Sequence, residues 1–273
     1  MKFRVLSDLH IDVNSKYKIS WDDKDILTII AGDVAGSLSD TKKFLRDKFN
    51  NVIFIAGNHL VYNDENMPIQ ILYQDLKDEF PIDSKIAFLQ DDYKIIDDTV
   101  FIGATLWTDY AYNPGILPKD VSVKKIIQVN MEVASECMND YRWGLYLDEK
   151  RKIVPLTPKH CAGFFAKSLK FIKKTYDKFA GGAKKIVLIV HHGVSPKVLG
   201  LGYTCDEIAA FYISDLEDFI SAQLPDLSLI IHGHIHISCA YKIGKIPVLC
   251  NARGYENMGK KNTNFNKDLI LEI

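Results

Sequence analysis

Short runs of Val, Ile, Leu and Phe recur along the chain, and in its first third they alternate with segments of helical periodicity. Apolar runs between polar turns are typical of buried strands. Strands are predicted at 3–7, 26–31, 52–56, 86–89, 100–104, 186–190, 227–231, 239–243, 246–250 and 268–273. Helices are predicted near 39–49, 66–79, 126–143, 165–179 and 215–223. Because short turns join the last strands, the pattern predicts a mixed α/β fold.

Residues 108–162 interrupt this pattern. Loop-like sequence flanks the helical stretch 126–143, and the whole segment lies between two of the predicted strands. An insertion of this kind is expected to form a cap or rim above a site at the strand ends. No repeat, low-complexity tract or linker divides the chain, which predicts one domain over residues 1–273.

The composition is that of an ordinary globular protein: 273 residues, 47% hydrophobic and 25% charged, with a formal net charge of −1. This charge provides no global basic field for binding nucleic acid. No secretory h-region follows the first residues, and no apolar run approaches the roughly 20 residues of a membrane helix. We therefore expect a cytoplasmic protein without a membrane partner. The five cysteines form no CxxC and are expected to be reduced, packed thiols.

Side chains that can bind metal follow five of the apolar runs, at the point where each run ends. They are Asp8, His10, Asp33, Asn58, His59, His191, His192, His234 and His236. Carboxylate, amide and imidazole groups are the ligands of divalent first-row metals. These nine side chains are more than one ion takes, and seven ligands would suit two ions that share a carboxylate. If all were merely core polar groups, many titratable side chains would be buried at one sheet edge without a reason.

Glycines stand beside three of these positions, at Gly32, Gly57 and Gly233. A glycine lets the backbone turn sharply and lets other groups come close to it. We expect these glycines to admit ions or phosphate.

An ordered set of short motifs spans Asp8 to His236: D-x-H, GD, GNH, HH and GHxH. This set resembles the signature of the calcineurin-like metallophosphoesterases. The resemblance implies a two-sheet mixed β-sandwich flanked by helices, with two divalent ions at one edge. It implies that the first ion is held by Asp8, His10, Asp33 and His236. It implies that the second is held by Asp33, Asn58, His191 and His234, so that Asp33 bridges the two ions.

The resemblance also makes His59 the catalytic residue, because it matches the family's non-ligand histidine that faces the leaving group. The acidic residue that usually follows GNH is Leu60 here, which leaves the orientation of His59 open. The second motif, GDVAG, lacks the Asp-Arg-Gly ending of the phosphoprotein phosphatases and argues against that class.

Three more residues are predicted near the substrate. HHGVSP resembles a bacterial-type variant whose first histidine binds metal, so His192 either supports the ligands or lines the rim. GATLWTDY with MNDYR, and NARGYEN, resemble a subgroup of uncharacterised phosphohydrolases. That similarity implies Arg142 and Arg253 as phosphate contacts, since guanidinium groups match phosphate oxygens. Two ordinary surface arginines would explain the sequence equally well.

The ligand charges favour phosphate chemistry. Two carboxylates, an amide and neutral imidazoles leave two divalent ions with surplus positive charge, which attracts phosphate and lowers the pKa of a shared water towards ~7. The prediction is a binuclear Mn, Fe, Zn or Ni hydrolase of a small phosphodiester or nucleotide-like substrate. Alternatives are a phosphomonoesterase, a nuclease with a local basic groove, a non-catalytic metal- or phosphate-binding module, and an amidohydrolase.

Overall fold

Strands and helices alternate along most of the chain in a computed structural model that describes residues 1–14, 24–62, 66–182, 184–201, 208–256 and 262–273. The strands are β1 Lys2–Leu6, β2 Thr28–Ala31, β3 Val52–Ile55, β4 Ile86–Phe88, β5 Asp92–Ile96, β6 Thr99–Ala104, β7 Leu145–Leu147, β8 Ile153–Pro155, β9 Lys185–Val190, β10 Leu229–His232, β11 Cys239–Ile243, β12 Ile246–Cys250 and β13 Ile270–Glu272. The helices are α1 Leu38–Lys48, α2 Ile69–Glu79, α3 Val123–Cys137, α4 Asn139–Trp143, α5 Pro158–Phe179, α6 Ala209–Tyr212 and α7 Glu217–Gln223. Short 3₁₀ helices cover Asn58–Tyr62 and Pro196–Leu201.

Two large sheets contain most of these strands. The first has the order β13-β1-β2-β3-β4, in which β1 to β4 are parallel and β13 is antiparallel to β1. The second has the order β11-β12-β10-β9-β6-β5, with parallel strands from β12 to β6 and antiparallel strands at both edges. Strands β7 and β8 form a separate antiparallel pair. Both large sheets are therefore mixed.

The two sheets pack face to face. One buried cluster joins alternate residues of β1, β2 and β3 to alternate residues of β6, β9 and β10, and Phe3 meets Phe101 edge-on at 6.0 Å between ring centroids. The other residues of these strands belong to a second cluster with the buried side chains of α1, α2, α5 and α7. Successive side chains of a strand point to opposite faces, so one set fills the sandwich and the other contacts the helices. The predicted two-sheet sandwich flanked by helices is confirmed.

Every strand predicted from the sequence is present, with ends shifted by two residues at most. The predictions omit β5, β7 and β8, whose side chains are half-exposed or exposed, so these strands lack a continuous apolar run. The predicted helix 126–143 is two helices, α3 and α4, because Met138 between them is extended (φ −89°, ψ 132°).

The segment predicted as a cap, residues 108–162, contains α3, α4 and the β7–β8 pair. Helix α4 packs against the 3₁₀ helix Asn58–Tyr62, and β7 packs against α2. The side chain of Gln70 on α2 bonds the backbone of Leu147 in both directions, at 2.8 and 3.0 Å. These contacts attach the segment to α2 and to the 3₁₀ helix that carries Asn58 and His59.

No helix among the described residues is both long and apolar enough to cross a membrane. The four cysteines in the described part of the chain are free thiols, and Cys205 lies outside it.

Candidate metal centre

The carboxyl ends of β1, β2, β3, β9 and β10 meet at one edge of the sandwich. The loops after these strands carry the predicted ligands, and most of their side chains are buried. The buried ones are Asp8, His10, Asp33, Asn58, His191 and His234. His59 and His236 are half-buried at the outer side. The parallel arrangement brings these loops together, because strands that run in the same direction end at the same edge.

The seven predicted ligands form two groups that Asp33 joins, and Nε2 of His59 lies 3.9 Å from the same carboxylate. In the first, Nε2 of His236 lies 3.4 Å from Oδ1 of Asp8 and 2.9 Å from Nε2 of His10. In the second, Nε2 of His191 lies 3.3 Å from Oδ2 of Asp33, and His234 completes the group within 4.8 Å. The same Asp33 oxygen is 3.9 Å from Nε2 of His10. One carboxylate oxygen thus faces both groups.

Asn58 joins the second group through its amide. Its Oδ1 lies 3.0 Å from Nε2 of His191. The structure therefore brings together all seven residues predicted to bind metal.

The backbone at this edge has an unusual conformation. Positive φ angles, between 42° and 70°, occur at Asp8, His10, Asp33, His234 and His236. Residues with a Cβ rarely adopt this left-handed conformation, which costs of order 1–3 kcal/mol and persists where surrounding contacts impose it. Here the N–H groups of Asp8 and His10 donate to the carbonyls of Gly32 and Asp33, both at 3.1 Å.

The buried atoms at the centre fit bound cations. Oδ2 of Asp33 is buried without a hydrogen bond of ordinary geometry, and Nε2 of His234 has no partner among the described residues. Nε2 atoms of His10 and His236 face each other. Buried lone pairs that converge in this way are costly unless a proton or a metal ion lies between them. The oxygen and nitrogen donors match divalent first-row metals.

The electrostatics of the cluster support this fit. Burial alone would raise the pKa of Asp33, but His191 and His59 outweigh it and hold that pKa well below its usual range. Burial would also raise the pKa of Asp8, but the hydrogen bond and the charge of His236 outweigh burial and lower that pKa. Burial lowers the pKa of His10 to about 3 despite the nearby Asp33. Two charged carboxylates and a neutral His10 are the ligand forms that a metal ion requires.

His191 is the exception, because it holds a proton in the metal-free protein. Burial would lower its pKa, but the adjacent Asp33 carboxylate outweighs burial and raises the pKa to about 9. Its Nδ1 is 2.8 Å from the carbonyl of Ala31 and donates to it, so Nε2 is the atom that faces Asp33 and Asn58. A cation would replace the Nε2 proton.

The glycines beside the ligands admit the ligands themselves. A Cβ at Gly57 would overlap the carboxylate and backbone of Asp33, and a Cβ at Gly233 would overlap Ser7 and the carboxylate of Asp8. The space beside Gly57 and Gly233, which is predicted to admit ions or phosphate, is filled by the carboxylates of Asp33 and Asp8. The reason is that the loops cross at van der Waals distance.

His59 occupies the outer side of the site. Its backbone N–H donates to Oδ1 of Asp33 at 3.0 Å, and its Nε2 lies 2.8 Å from the hydroxyl of Tyr255. Leu60 is buried in the apolar cluster. A side chain at position 60 therefore points away from the site, and the ring of His59 is held by a tyrosine from the C-terminal region.

A chain of hydrogen bonds holds the Asn58 amide. Nδ2 of Asn58 donates to the Tyr62 hydroxyl at 3.2 Å, and that hydroxyl donates to Oδ2 of Asp140 at 3.0 Å. Asp140 lies in α4 and is buried, which raises its pKa despite the lowering effects of Asn58 and His59. Because Nδ2 is engaged on this side, Oδ1 of Asn58 faces His191.

The three predicted substrate contacts lie in different surroundings. His192 is buried beside Thr105 and packs on His234 at 4.3 Å, which favours the predicted position behind the ligands over a place on the rim. Arg142 is exposed on α4. The guanidinium of Arg253 is buried and donates to Glu256 at 2.8 Å. Roles for Arg142 and Arg253 on phosphate stay predictions.

A cleft of about 430 Å³ opens beside His59. Its walls include Tyr62, Tyr255, Asn139, Asp12 and Asp40. The cleft gives a small molecule access to the outer side of the site.

Sequence reasoning missed three polar residues of this site: Tyr62, Asp140 and Tyr255. The motifs MNDYR and NARGYEN point to their arginines as phosphate contacts. The same motifs contain Asp140 and Tyr255, so the signal was present. Which side chain of each motif turns inward depends on contacts with distant parts of the chain.

Comparison with known proteins identifies the architecture. No protein-family model matches the chain. An uncharacterised protein of Acanthamoeba polyphaga mimivirus is 24% identical over 301 residues, covering 99% of this chain and 96% of that protein. The crystal structure of phosphopantetheinyl hydrolase from Mycobacterium tuberculosis matches with a TM-score of 0.67 at 18% identity, over 100% of this chain and 95% of that one.

This chain has a metallophosphoesterase-like fold. The edge where the seven predicted ligands meet is thus a candidate metal centre on a fold that the sequence motifs already implied.

Gly57→Ala is expected to abolish metal binding, because the added Cβ displaces the Asp33 carboxylate. Elemental analysis of the metal-loaded protein measures the loss. Gly163→Ala is the matched control: Gly163 is exposed in α5 with open space around it, so alanine should keep both ions and stabilise the helix by up to ~1 kcal/mol. Full metal occupancy in Gly57→Ala would contradict the packing described above.

Metal affinity is expected to rise between pH 7 and pH 9. Because the pKa of His191 is raised to about 9, the ion must displace one proton below that pH and none above it. Displacement of one proton changes the apparent affinity by up to about tenfold per pH unit. Titration calorimetry in buffers of different ionisation enthalpy counts the released proton. An affinity that is constant from pH 7 to pH 9 would show that His191 is neutral without metal.

Tyr62→Phe is expected to weaken metal binding by about 10–100-fold, as loss of a partner that orients a ligand typically does. The substitution keeps the ring and removes the hydroxyl between Asn58 and Asp140. Competition with a chelator measures the affinity of each ion. Unchanged affinity would mean that the Asn58 amide is oriented without Tyr62.

Proposed function

We propose that this protein is a metal-dependent hydrolase that uses two divalent ions to cleave a small phosphodiester or nucleotide-like ester. The observation that supports it best is the buried Asp33 carboxylate, one oxygen of which faces two separate groups of histidines. A shared carboxylate between two nitrogen- and oxygen-rich groups is typical of two-ion sites.

Each ion has four candidate ligands. The first would be held by Asp8, His10, Asp33 and His236, and the second by Asp33, Asn58, His191 and His234. When bound, the ions supply Lewis-acid activation of the phosphate and of a water nucleophile. The chain contributes only two negative charges to this centre, so the loaded site keeps a positive charge that attracts the phosphate.

The chain's own residues determine what surrounds the phosphate. His59 lies between the ligands and the cleft, where it can assist the departure of the leaving-group oxygen. A hydrogen-bond or proton donor at that oxygen contributes roughly 10²–10⁴ in rate. The segment 108–162 would act as the cap, since α4 packs against the helix that carries His59.

The cleft favours a small leaving group. Its volume, about 430 Å³, suits a small organic group, and its described walls carry the carboxylates of Asp12 and Asp40 but no lysine or arginine. Carboxylates beside the phosphate repel a polyanion, so a nuclease is the weaker alternative. The mycobacterial neighbour is named a phosphopantetheinyl hydrolase, and a phosphopantetheinyl ester therefore belongs among the candidate substrates.

The test is turnover by metal-stripped protein reloaded with Mn²⁺, Ni²⁺, Zn²⁺ or Mg²⁺. Bis-p-nitrophenyl phosphate and p-nitrophenyl phosphate are offered side by side. We expect metal-dependent cleavage that favours the diester. Asp33→Asn should lose both ions and nearly all turnover, because it removes the shared charge at constant size. Asp47→Asn, an exposed carboxylate on α1, is the matched control and should behave as wild type.

Other outcomes have defined meanings. Preference for the monoester would indicate a phosphomonoesterase of the same fold. Two bound ions without turnover of either compound would support the non-catalytic binding module. Failure to bind any metal would refute the proposed function.

A further inference from the structure

The hydroxyl of Tyr255 lies at the position that an acceptor of a hydrogen bond from Nε2 of His59 would occupy. It is 2.8 Å from Nε2 of His59, and both residues line the cleft. The Tyr255 ring packs on His10 and on His236, with 4.5 Å between ring centroids in each case. Tyr255 therefore touches the candidate metal centre with its ring and faces the cleft with its polar end.

The loop that carries Tyr255 is attached to the first ligand loop. The N–H of Arg253 donates to the carbonyl of Ser7 at 2.9 Å, and that of Gly254 donates to the carbonyl of Asp8 at 3.1 Å. The Arg253–Glu256 ion pair closes the loop around Tyr255. These bonds fix the position of the Tyr255 hydroxyl relative to Asp8.

The hydrogen-bonding capacity of the two groups differs. Nε2 of an imidazole has one bonding direction, and the Tyr255 hydroxyl occupies it. A tyrosine hydroxyl accepts and donates at the same time. If Nε2–H of His59 donates to Tyr255, the O–H of Tyr255 stays available for a third group.

We propose that Tyr255 is the residue that donates a hydrogen bond to the departing oxygen, and that His59 acts through it by orienting its hydroxyl. This inference rests on the proposed function. As the oxygen of the attacking water bonds to phosphorus, the P–O bond to the leaving group breaks and its electron pair goes to the departing oxygen. The Tyr255 O–H stabilises the negative charge that develops there, and water in the open cleft finally supplies the proton. The leaving group occupies the cleft.

Tyr255→Phe is expected to lower kcat/KM about 10²–10³-fold for a dialkyl phosphate such as dimethyl phosphate, whose leaving group is an alkoxide. Removal of one such hydrogen-bond donor typically has an effect of this size. Diesters with a p-nitrophenolate leaving group need little stabilisation, so their loss should stay below about threefold. The variant keeps the aromatic ring on His10 and His236. Its metal content and unfolding temperature should therefore equal those of wild type.

His59→Gln should show the same dependence on the leaving group with a smaller loss, about tenfold, because the Tyr255 hydroxyl remains but is less well oriented. The double variant should match Tyr255→Phe alone, since both residues act on one oxygen. A leaving-group-dependent loss in His59→Gln with wild-type behaviour in Tyr255→Phe would overturn the proposal in favour of direct contact by His59. An equal loss for all substrates in Tyr255→Phe would also overturn it, by showing a merely structural role.

Tyr241→Phe is the matched control. It removes a similar tyrosine hydroxyl contact, 3.2 Å from Nε2 of the buried His232, but away from the cleft. Activity on both classes of diester should stay at the wild-type level. A leaving-group-dependent loss in this control as well would overturn the assignment to Tyr255.

A second measurement separates this inference from the proposed function. In metal-free protein labelled with ¹⁵N-histidine, Tyr255→Phe should shift the Nε2 resonance of His59, whereas Tyr241→Phe should leave it unchanged. An unchanged His59 resonance in Tyr255→Phe would refute the hydrogen bond on which the inference depends. Absence of turnover in the wild type, with the shift observed, would instead count against the proposed function.

Discussion

The Asp33 carboxylate is held in the interior between two groups of histidines, and the rest of the site is arranged around that charge. A buried carboxylate is costly unless cations or donors surround it. The backbone of His59 donates to one oxygen and leaves the other to face His10 and His191. Gly57 provides the space for this arrangement. The low pKa of Asp33 and the high pKa of His191 are two consequences of the same contact.

The sandwich explains why such a cluster forms here. Asp8, Asp33 and Asn58 follow strands of the first sheet, whereas His191 and His234 follow strands of the second. The ligands therefore meet only when the two sheets pack on each other through the cluster between them. His234 donates its backbone N–H to both oxygens of Asp8, at 3.0 Å, across 226 residues of sequence. Packing of the core and assembly of the site are thus coupled.

Two regions outside the ligand loops complete the site. The segment 108–162 provides Asp140, which reaches Asn58 through Tyr62. The chain after β12 provides Tyr255, which reaches His59. Both regions line or approach the cleft, so they connect the candidate metal centre to the surface that a substrate would contact.

The strand ends and the candidate metal ligands could be predicted from the sequence, because both are local. A buried strand shows itself as an apolar run, and Asp8, His10 and Asp33 follow such runs directly. The weakly apolar β5, β7 and β8 could not be found in this way, since their pairing depends on neighbours distant in sequence. The break at Met138 likewise has no local signal. Leu60, Asp140 and Tyr255 are the clearest cases in the site. Sequence shows that an acid is missing after GNH and that two later motifs contain polar residues. Only the tertiary structure decides that Leu60 is buried in the core and that Asp140 and Tyr255 turn towards Asn58 and His59, because side-chain direction there is determined by packing between distant segments.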